Sequence, residues 1–317
     1  MRISSFLQTA IAVLAVIVGF VLSVFASRRA VSDTTDLAAG TSLPPFVVGF
    51  TLLAIGTDLP EIANSIVSSI AGHGDLNVGD SVGSAATQAT LVLGLLPLVG
   101  GALALSKARV LRIGIATVFA LLLGTGLMID GDVSRFDALI LVTAFIIGTG
   151  ITWGPPPEGT QMELSLGARE KAKKILVVFG SLAIVGAATT LAVWGLTSLA
   201  ESLEVPEYIV AFFLASIGTS LPELVVTTTA MRRKQTELAI GDALGASFID
   251  STLSIGIGPL IAPIAVTTSL VVPGSLAAAT AIGVVSLVLA IRGRHNWATG
   301  VPFILLYVVF YLVLLSV

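Results

Sequence analysis

Apolar residues in this chain come in long runs, separated by short polar, Pro-rich or Gly-rich breaks. A helix that crosses a bilayer needs roughly 20 apolar residues. Splitting at the breaks predicts ten such helices, near 5–26, 44–70, 77–101, 109–128, 135–153, 174–197, 206–230, 238–262, 268–292 and 297–316. The apolar run within residues 4–27 is too long for a secretory signal peptide, and many further runs follow it. The longest connection, PPPEGTQMELSLGAREKAKK at about 154–173, reads as a flexible polar linker between a first half, 1–153, and a second half, 174–317. No soluble domain is expected.

Composition supports this reading. The 317 residues are 55% apolar and only 11% charged, with a mean hydropathy of +1.03. A soluble domain carries about 25% charged residues. The expected class is therefore an all-α polytopic membrane protein, with membrane lipids as partners and no nucleic acid. The absence of cysteine excludes disulfides and Cys-ligated metal sites.

The net charge of −3 says little, but the placement of charge says more. Basic residues fall in alternate connections: Arg28 and Arg29, Lys107 to Arg112, Arg169 to Lys174, Arg232 to Lys234, and Arg292 with Arg294. The opposite loops, GHGD, DGDVSR, ESLEVPE and APIAVTT, are poor in Lys and Arg. The positive-inside rule then puts the odd-to-even connections in the cytoplasm and both termini outside.

One of the apolar runs, FVVGFTLLAIGTDLPEIANSIVSSI at 46–70, carries two carboxylates and a proline at its middle. Self-comparison finds its counterpart. Residues 46–98 align without gaps with 208–260 at a constant offset of 162. GTDLPE at 56–61 faces GTSLPE at 218–223, and GDSVG at 79–83 faces GDALG at 241–245. Chance likeness between apolar segments matches Leu, Val and Ala; it does not match Thr, Pro, Glu and Asp in place. An odd number of spans separates the copies, so they run in opposite directions. This inverted five-plus-five repeat is the plan of many secondary transporters, which bind substrate near the midplane.

The motif has a physical logic. Proline within a helix removes the hydrogen bond to the carbonyl four residues back. Pro60 thus frees the carbonyl of Gly56 and Pro222 that of Gly218, and the neighbouring carbonyls of Ala54, Thr57, Ser216 and Thr219 are candidates to turn inward. Such backbone is tolerated at membrane depth only where it lines a cavity or binds something. Thr57 and Glu61 share a helix face, as do Thr219 and Glu223. Carboxylate, hydroxyl and carbonyl oxygens together suit a hard cation; Ca²⁺ takes roughly 6–8 of them. On the partner helices, Gly79 with Gly83 and Gly241 with Gly245 permit close approach. Ser84 and Gln88 then line one partner helix, and Asp250 the other. An intramembrane carboxylate is functional by default, which covers Glu61, Glu223 and Asp250. For Thr57, Thr219, Ser84, Ser220 and Gln88 the plain alternative is a bond to the preceding helical turn. Asp80 and Asp242 sit near helix ends, where capping or pairing with loop charges competes with a site role. His73 and His295 lie in loops and read as bystanders.

The paired GTxLPE motifs, each followed about twenty residues later by a G-(N/D)-x-x-G segment, resemble the α-repeats of the Ca²⁺/cation antiporter superfamily, and most of all its prokaryotic sodium/calcium exchanger branch. The resemblance implies a ten-helix exchanger-like fold, with spans one and six sliding across an eight-helix core. It implies Ca²⁺ export against Na⁺ by alternating access through the cell membrane, with no cofactor beyond the transported ions. It places ion ligands at Glu61, Glu223, Thr57, Thr219, Ser220, Ser84 and Asp250, with Gln88 at a position that is often Asn and carbonyl ligands at Ala54 and Ser216.

Departures are visible. Asp58 stands where the family usually has Ser, and Ala246 where it has Ser, with Ser247 adjacent. Asp80 and Asp242 replace Asn. Asp58 adds a carboxylate to the site, which opens H⁺ as the alternative coupling ion. An intramembrane aspartyl protease built on Asp80 and Asp242 and a passive channel are the competing classes. Both motif contexts, NVGD and AIGD, lack the earlier Gly of such a protease. The inverted repeat disfavours the channel.

Overall fold

The computed structural model describes residues 2–38, 50, 54–152 and 168–314. Among these, seven helices are long and apolar enough to cross a membrane: Gln8–Ala26, Gly74–Gly100, Lys107–Leu127, Ala172–Leu203, Glu207–Arg232, Thr236–Ile261 and Thr268–Arg292. A shorter apolar stretch, Trp297–Leu312, follows. The helix Arg135–Thr152 lies where the fifth span is expected. The expected second span is described from Ala54, as the helices Ala54–Thr57 and Leu59–Ala71, and its start lies outside the described residues.

Two expected boundaries move. The first helix runs over Arg2–Ala38, well beyond residue 26. The second long helix begins at Ala168 and not at 174, so the last six residues of the expected linker are helical; 153–167 lie outside the described residues. The physical reason is local. Ala, Arg, Glu and Lys are strong helix formers, so AREKAKK continues the apolar span as a charged helical end. The two extensions are also tied together. Asp33, 2% exposed, pairs with Arg29 one turn back at 2.9 Å and with Lys174 of the other helix at 3.0 Å.

These two long helices pack on each other, with Ala12 and Val16 against Val193 and Leu196. The centre of the molecule is formed by the helices Gly74–Thr87 and Thr236–Ile249, which are buried on nearly every side. A helix buried all round needs neighbours all round. Val78, Val82 and Ala85 meet Tyr208, Phe212 and Val271. In the same way Ile240, Ala243 and Phe248 meet Phe50, Leu96 and Ile113. Lipid supplies no hydrophobic drive for such contacts, so small residues do the work of close packing. A Cβ on Gly83 would lie 2.7 Å from the Phe212 carbonyl, which shows how near the second half's motif helix comes.

Each central helix continues into a π-turn, at Gln88–Val92 and at Asp250–Ser254. The two turns are again 162 residues apart. Such turns widen a helix locally and recur at functional sites. Two short antiparallel ribbons close the loops, Leu103–Ala104 with Arg294–His295 and Asp132–Val133 with Ile264–Ala265, each joining one half to the other.

Candidate cation site

Both motif helices break at one residue. Asp58 has φ −75° and ψ 8°, and Ser220 has φ −78° and ψ 6°. The proline two positions on has no N–H, so the carbonyls of Gly56 and Gly218 lose their helical donor. The Ala54 and Ser216 carbonyls still accept the N–H of Asp58 at 2.9 Å and of Ser220 at 3.1 Å. The Thr57 hydroxyl oxygen lies 3.1 Å from the Ala54 carbonyl, and the Thr219 hydroxyl oxygen 3.0 Å from the Ala215 carbonyl and 3.5 Å from that of Ser216.

The break delivers Asp58 and Glu61 from one half and Glu223 from the other to a single point. One carboxylate oxygen from each lies within 4.8 Å of the others. Asp250 is in electrostatic reach of all three, and all four are 0% exposed. Among the described residues, no donor stands in good hydrogen-bonding geometry to any of their carboxylate oxygens. The Ser220 hydroxyl and both polar atoms of Gln88 are likewise buried and, among the described residues, meet no partner in good hydrogen-bonding geometry. Ser84 sits beside them, 3.3 Å from the Thr219 hydroxyl and 3.5 Å from the Ser216 carbonyl. The structure thus brings Asp58, Glu61 and Glu223 together, with Asp250 in electrostatic reach. Ala246 is buried and apolar, while neighbouring Ser247 donates to the Ala85 carbonyl at 3.1 Å.

Asp80 and Asp242 were open between a helix-end role and the site. Both are fully buried, and each accepts a hydrogen bond from the threonine of the opposite half. Thr219 Oγ1 donates to Asp80 Oδ1 at 2.9 Å, and Thr57 Oγ1 to Asp242 Oδ1 at 3.4 Å. Loop pairing is thereby excluded. Their duplicated GD context, at offset 162, was the signal in the sequence. Asn64 carried no such signal because Val226 stands at its equivalent; its amide donates to Asp80 Oδ2 at 2.7 Å. Each aspartate faces a threonine and not the other aspartate, unlike the paired acids of a protease.

The two histidines lie off the site. His73 Nδ1 is 2.9 Å from Glu207 Oε1. His295 is 1% exposed and donates from Nε2 to the Leu93 carbonyl at 2.6 Å, and burial lowers its pKa.

Among the described residues six carboxylates therefore lie at 0% exposure: Asp58, Glu61, Asp80, Glu223, Asp242 and Asp250. Among the described residues no Lys or Arg is buried with them. Like charges at this density repel strongly in a low-dielectric interior, and each buried ion carries a desolvation penalty of several kcal/mol. Positive charge from outside the polypeptide offsets both, and oxygen-only donors suit hard cations.

The class is that of a membrane cation antiporter, as the family and the relatives of this chain show. More narrowly, the chain belongs to the sodium/calcium exchanger protein family, whose profile matches it twice, over residues 11–154 and 173–316. It is similar to the putative antiporter CaxA of Alkalimonas amylolytica, 27% identical over 262 residues that cover 80% of this chain and 82% of that one. It is also similar to the sodium/calcium exchanger MaX1 of Methanosarcina acetivorans, 25% identical, covering 95% of this chain and 97% of that one. A solved structure of the sodium-calcium exchanger NCX_Mj, soaked with Na⁺ and Sr²⁺, shares the fold with a TM-score of 0.65 at 24% identity, over 95% of this chain and 97% of that one.

Proposed function

We propose that this protein is a secondary active antiporter of the cell membrane that exports Ca²⁺ in exchange for Na⁺ by alternating access. The observation that carries this reading is the meeting of Asp58, Glu61 and Glu223 at one buried point where, among the described residues, no donor stands in good hydrogen-bonding geometry to them. Glu61 and Glu223 are the central ligands. Thr57, Thr219, Ser84, Ser220, Gln88 and Asp250, with the carbonyls of Ala54 and Ser216, complete the oxygen set. Asp80 and Asp242 orient the two threonines. The chain crosses the membrane ten times as inverted halves, joined on the cytoplasmic side by the stretch between residue 153 and the helix that begins at Ala168, with both termini outside. The doubled family match and the offset of 162 support that arrangement.

Proteoliposomes loaded with radiolabelled Ca²⁺ test the reading. An imposed Na⁺ gradient is expected to drive Ca²⁺ release, and release that ignores the gradient overturns it. The position of Asp58 in the cluster favours a second reading, H⁺/Ca²⁺ exchange with Asp58 as the proton carrier. A pH gradient that drives Ca²⁺ flux without Na⁺, lost in Asp58→Asn, selects that reading.

A further inference from the structure

The helices Lys107–Leu127 and Arg135–Thr152 are adjacent but do not close on each other. Between them lies a cavity of about 670 Å³ whose walls include Ile115, Phe119, Leu139 and Ile147. Its floor is Phe248, from the central helix that leads to Asp250. Phe248 reaches that place because residue 148 is glycine. A Cβ there would lie 2.3 Å from Phe248 Cζ. Phe248 in turn packs on Phe50 and Phe145, with ring centroids 6.1 Å and 6.3 Å away.

One end of the slot is charged. Arg112 lines its mouth and is exposed. Its neighbours on the same helical end are engaged: Arg109 pairs with Glu237, and Lys107 donates to the Ile291 carbonyl at 2.9 Å. Arg112 Nη1 has only a long contact to the Ile151 carbonyl, at 3.5 Å, and among the described residues no carboxylate is within ion-pairing distance of it. From Arg112 to Leu123, the deepest lining residue on that helix, the axial rise is about 16 Å at about 1.5 Å per residue. Half of a hydrocarbon core of about 30 Å is about 15 Å. The slot is therefore one leaflet deep, apolar along its length, and cationic at the headgroup level.

We propose that this slot is a binding site for one anionic glycerophospholipid, with its phosphate on Arg112 and an acyl chain lying between the two helices against Phe248. Charge complementarity and depth both fit such a ligand. Basic pockets between membrane helices hold anionic headgroups, and a guanidinium suits phosphate oxygens. The proposal rests on the membrane placement of the chain and not on the identity of the exchanged ions.

Native mass spectrometry of the full chain tests it, after incubation in vesicles that hold equal amounts of phosphatidylglycerol and phosphatidylcholine. The wild-type chain is expected to retain one phosphatidylglycerol in preference to phosphatidylcholine. Arg112→Gln is expected to lower that preference about fivefold, the effect of about one basic contact near the headgroups. Ala144→Phe, which fills the slot, is expected to lose the bound lipid. Equal retention of both lipids by the wild type overturns the proposal, as does an unchanged preference in Arg112→Gln or a retained lipid in folded Ala144→Phe. A chain dimer that Ala144→Phe disrupts also overturns it, since a second copy would then be the occupant. If Ala144→Phe does not fold, the Arg112→Gln preference decides alone.

Discussion

At the break in the first motif stands Asp58, and at the matching break in the second stands Ser220, with nearly the same φ and ψ. On the partner helices the difference reverses: Gln88 opens the first π-turn and Asp250 the second. Among the described residues, each half thus supplies three carboxylates at 0% exposure, Asp58, Glu61 and Asp80 from one, Glu223, Asp242 and Asp250 from the other. The backbone repeats, and so does the charge, but one carboxylate of each half sits on a different helix. The lesson is that the repeat sets where backbone breaks and threonines fall, while single side chains decide where negative charge concentrates. In this chain it concentrates at the motif breaks, where Asp58 joins the two glutamates.

Substitutions at equivalent positions break or sharpen this comparison. The largest effect is expected from Glu61→Gln and Glu223→Gln. Loss of one member of a buried charge constellation costs about 3–5 kcal/mol, so Ca²⁺ flux should fall about 100-fold or more in each. Full flux in either variant in proteoliposomes removes that residue from the site. Next comes Asp58→Ser, which makes the two breaks chemically alike. Ca²⁺ affinity, read from the concentration dependence of uptake, is expected to fall about tenfold, the scale of one charge-assisted interaction. An unchanged affinity would mean that the added carboxylate does not touch the ion.

Smaller effects are expected one step out. Asp80→Asn and Asp242→Asn keep an acceptor for the threonine but remove a charge. Asp80→Asn should do more harm, because Asp80 holds both Thr219 at 2.9 Å and Asn64 at 2.7 Å, whereas Thr57 is 3.4 Å from Asp242. A few-fold loss of Ca²⁺ affinity is expected for the first and less for the second; the reverse order would show that Asp242 holds Thr57 more tightly than Asp80 holds Thr219. The smallest effect belongs to Asn64→Val, which copies Val226. It removes one hydrogen bond of about 1 kcal/mol, and the unfolding midpoint should drop by about 2–4 °C with transport retained. Lost transport would promote Asn64 from a support of Asp80 to a ligand.

Much of this was legible before any coordinates. Membrane helices announce themselves because about 20 apolar residues in a row have few other uses. The site was legible because a carboxylate beside a proline inside such a run is tolerated only for a purpose, and because it occurs twice. Helix ends were less legible. AREKAKK has the look of a linker to a hydropathy argument, yet its helix propensity and the Asp33–Lys174 pair make it part of the second long helix. Asp80 and Asp242 were ambiguous since distance from a helix end along the chain does not measure depth in a bundle. Burial depends on what packs across, and here the opposite half does.

The order of residues alone determined the membrane class, the 162-residue repeat and the presence of oxygen-rich breaks in the middle of spans. These are properties of local composition and periodicity, so they need no partner. Only the tertiary structure decided that Thr57 faces Asp242 and Thr219 faces Asp80, that Asp58 joins Glu61 and Glu223, and that a slot opens behind Phe248. Those facts join residues more than a hundred positions apart, and they follow from how the packed helices approach one another, which no stretch of sequence specifies on its own.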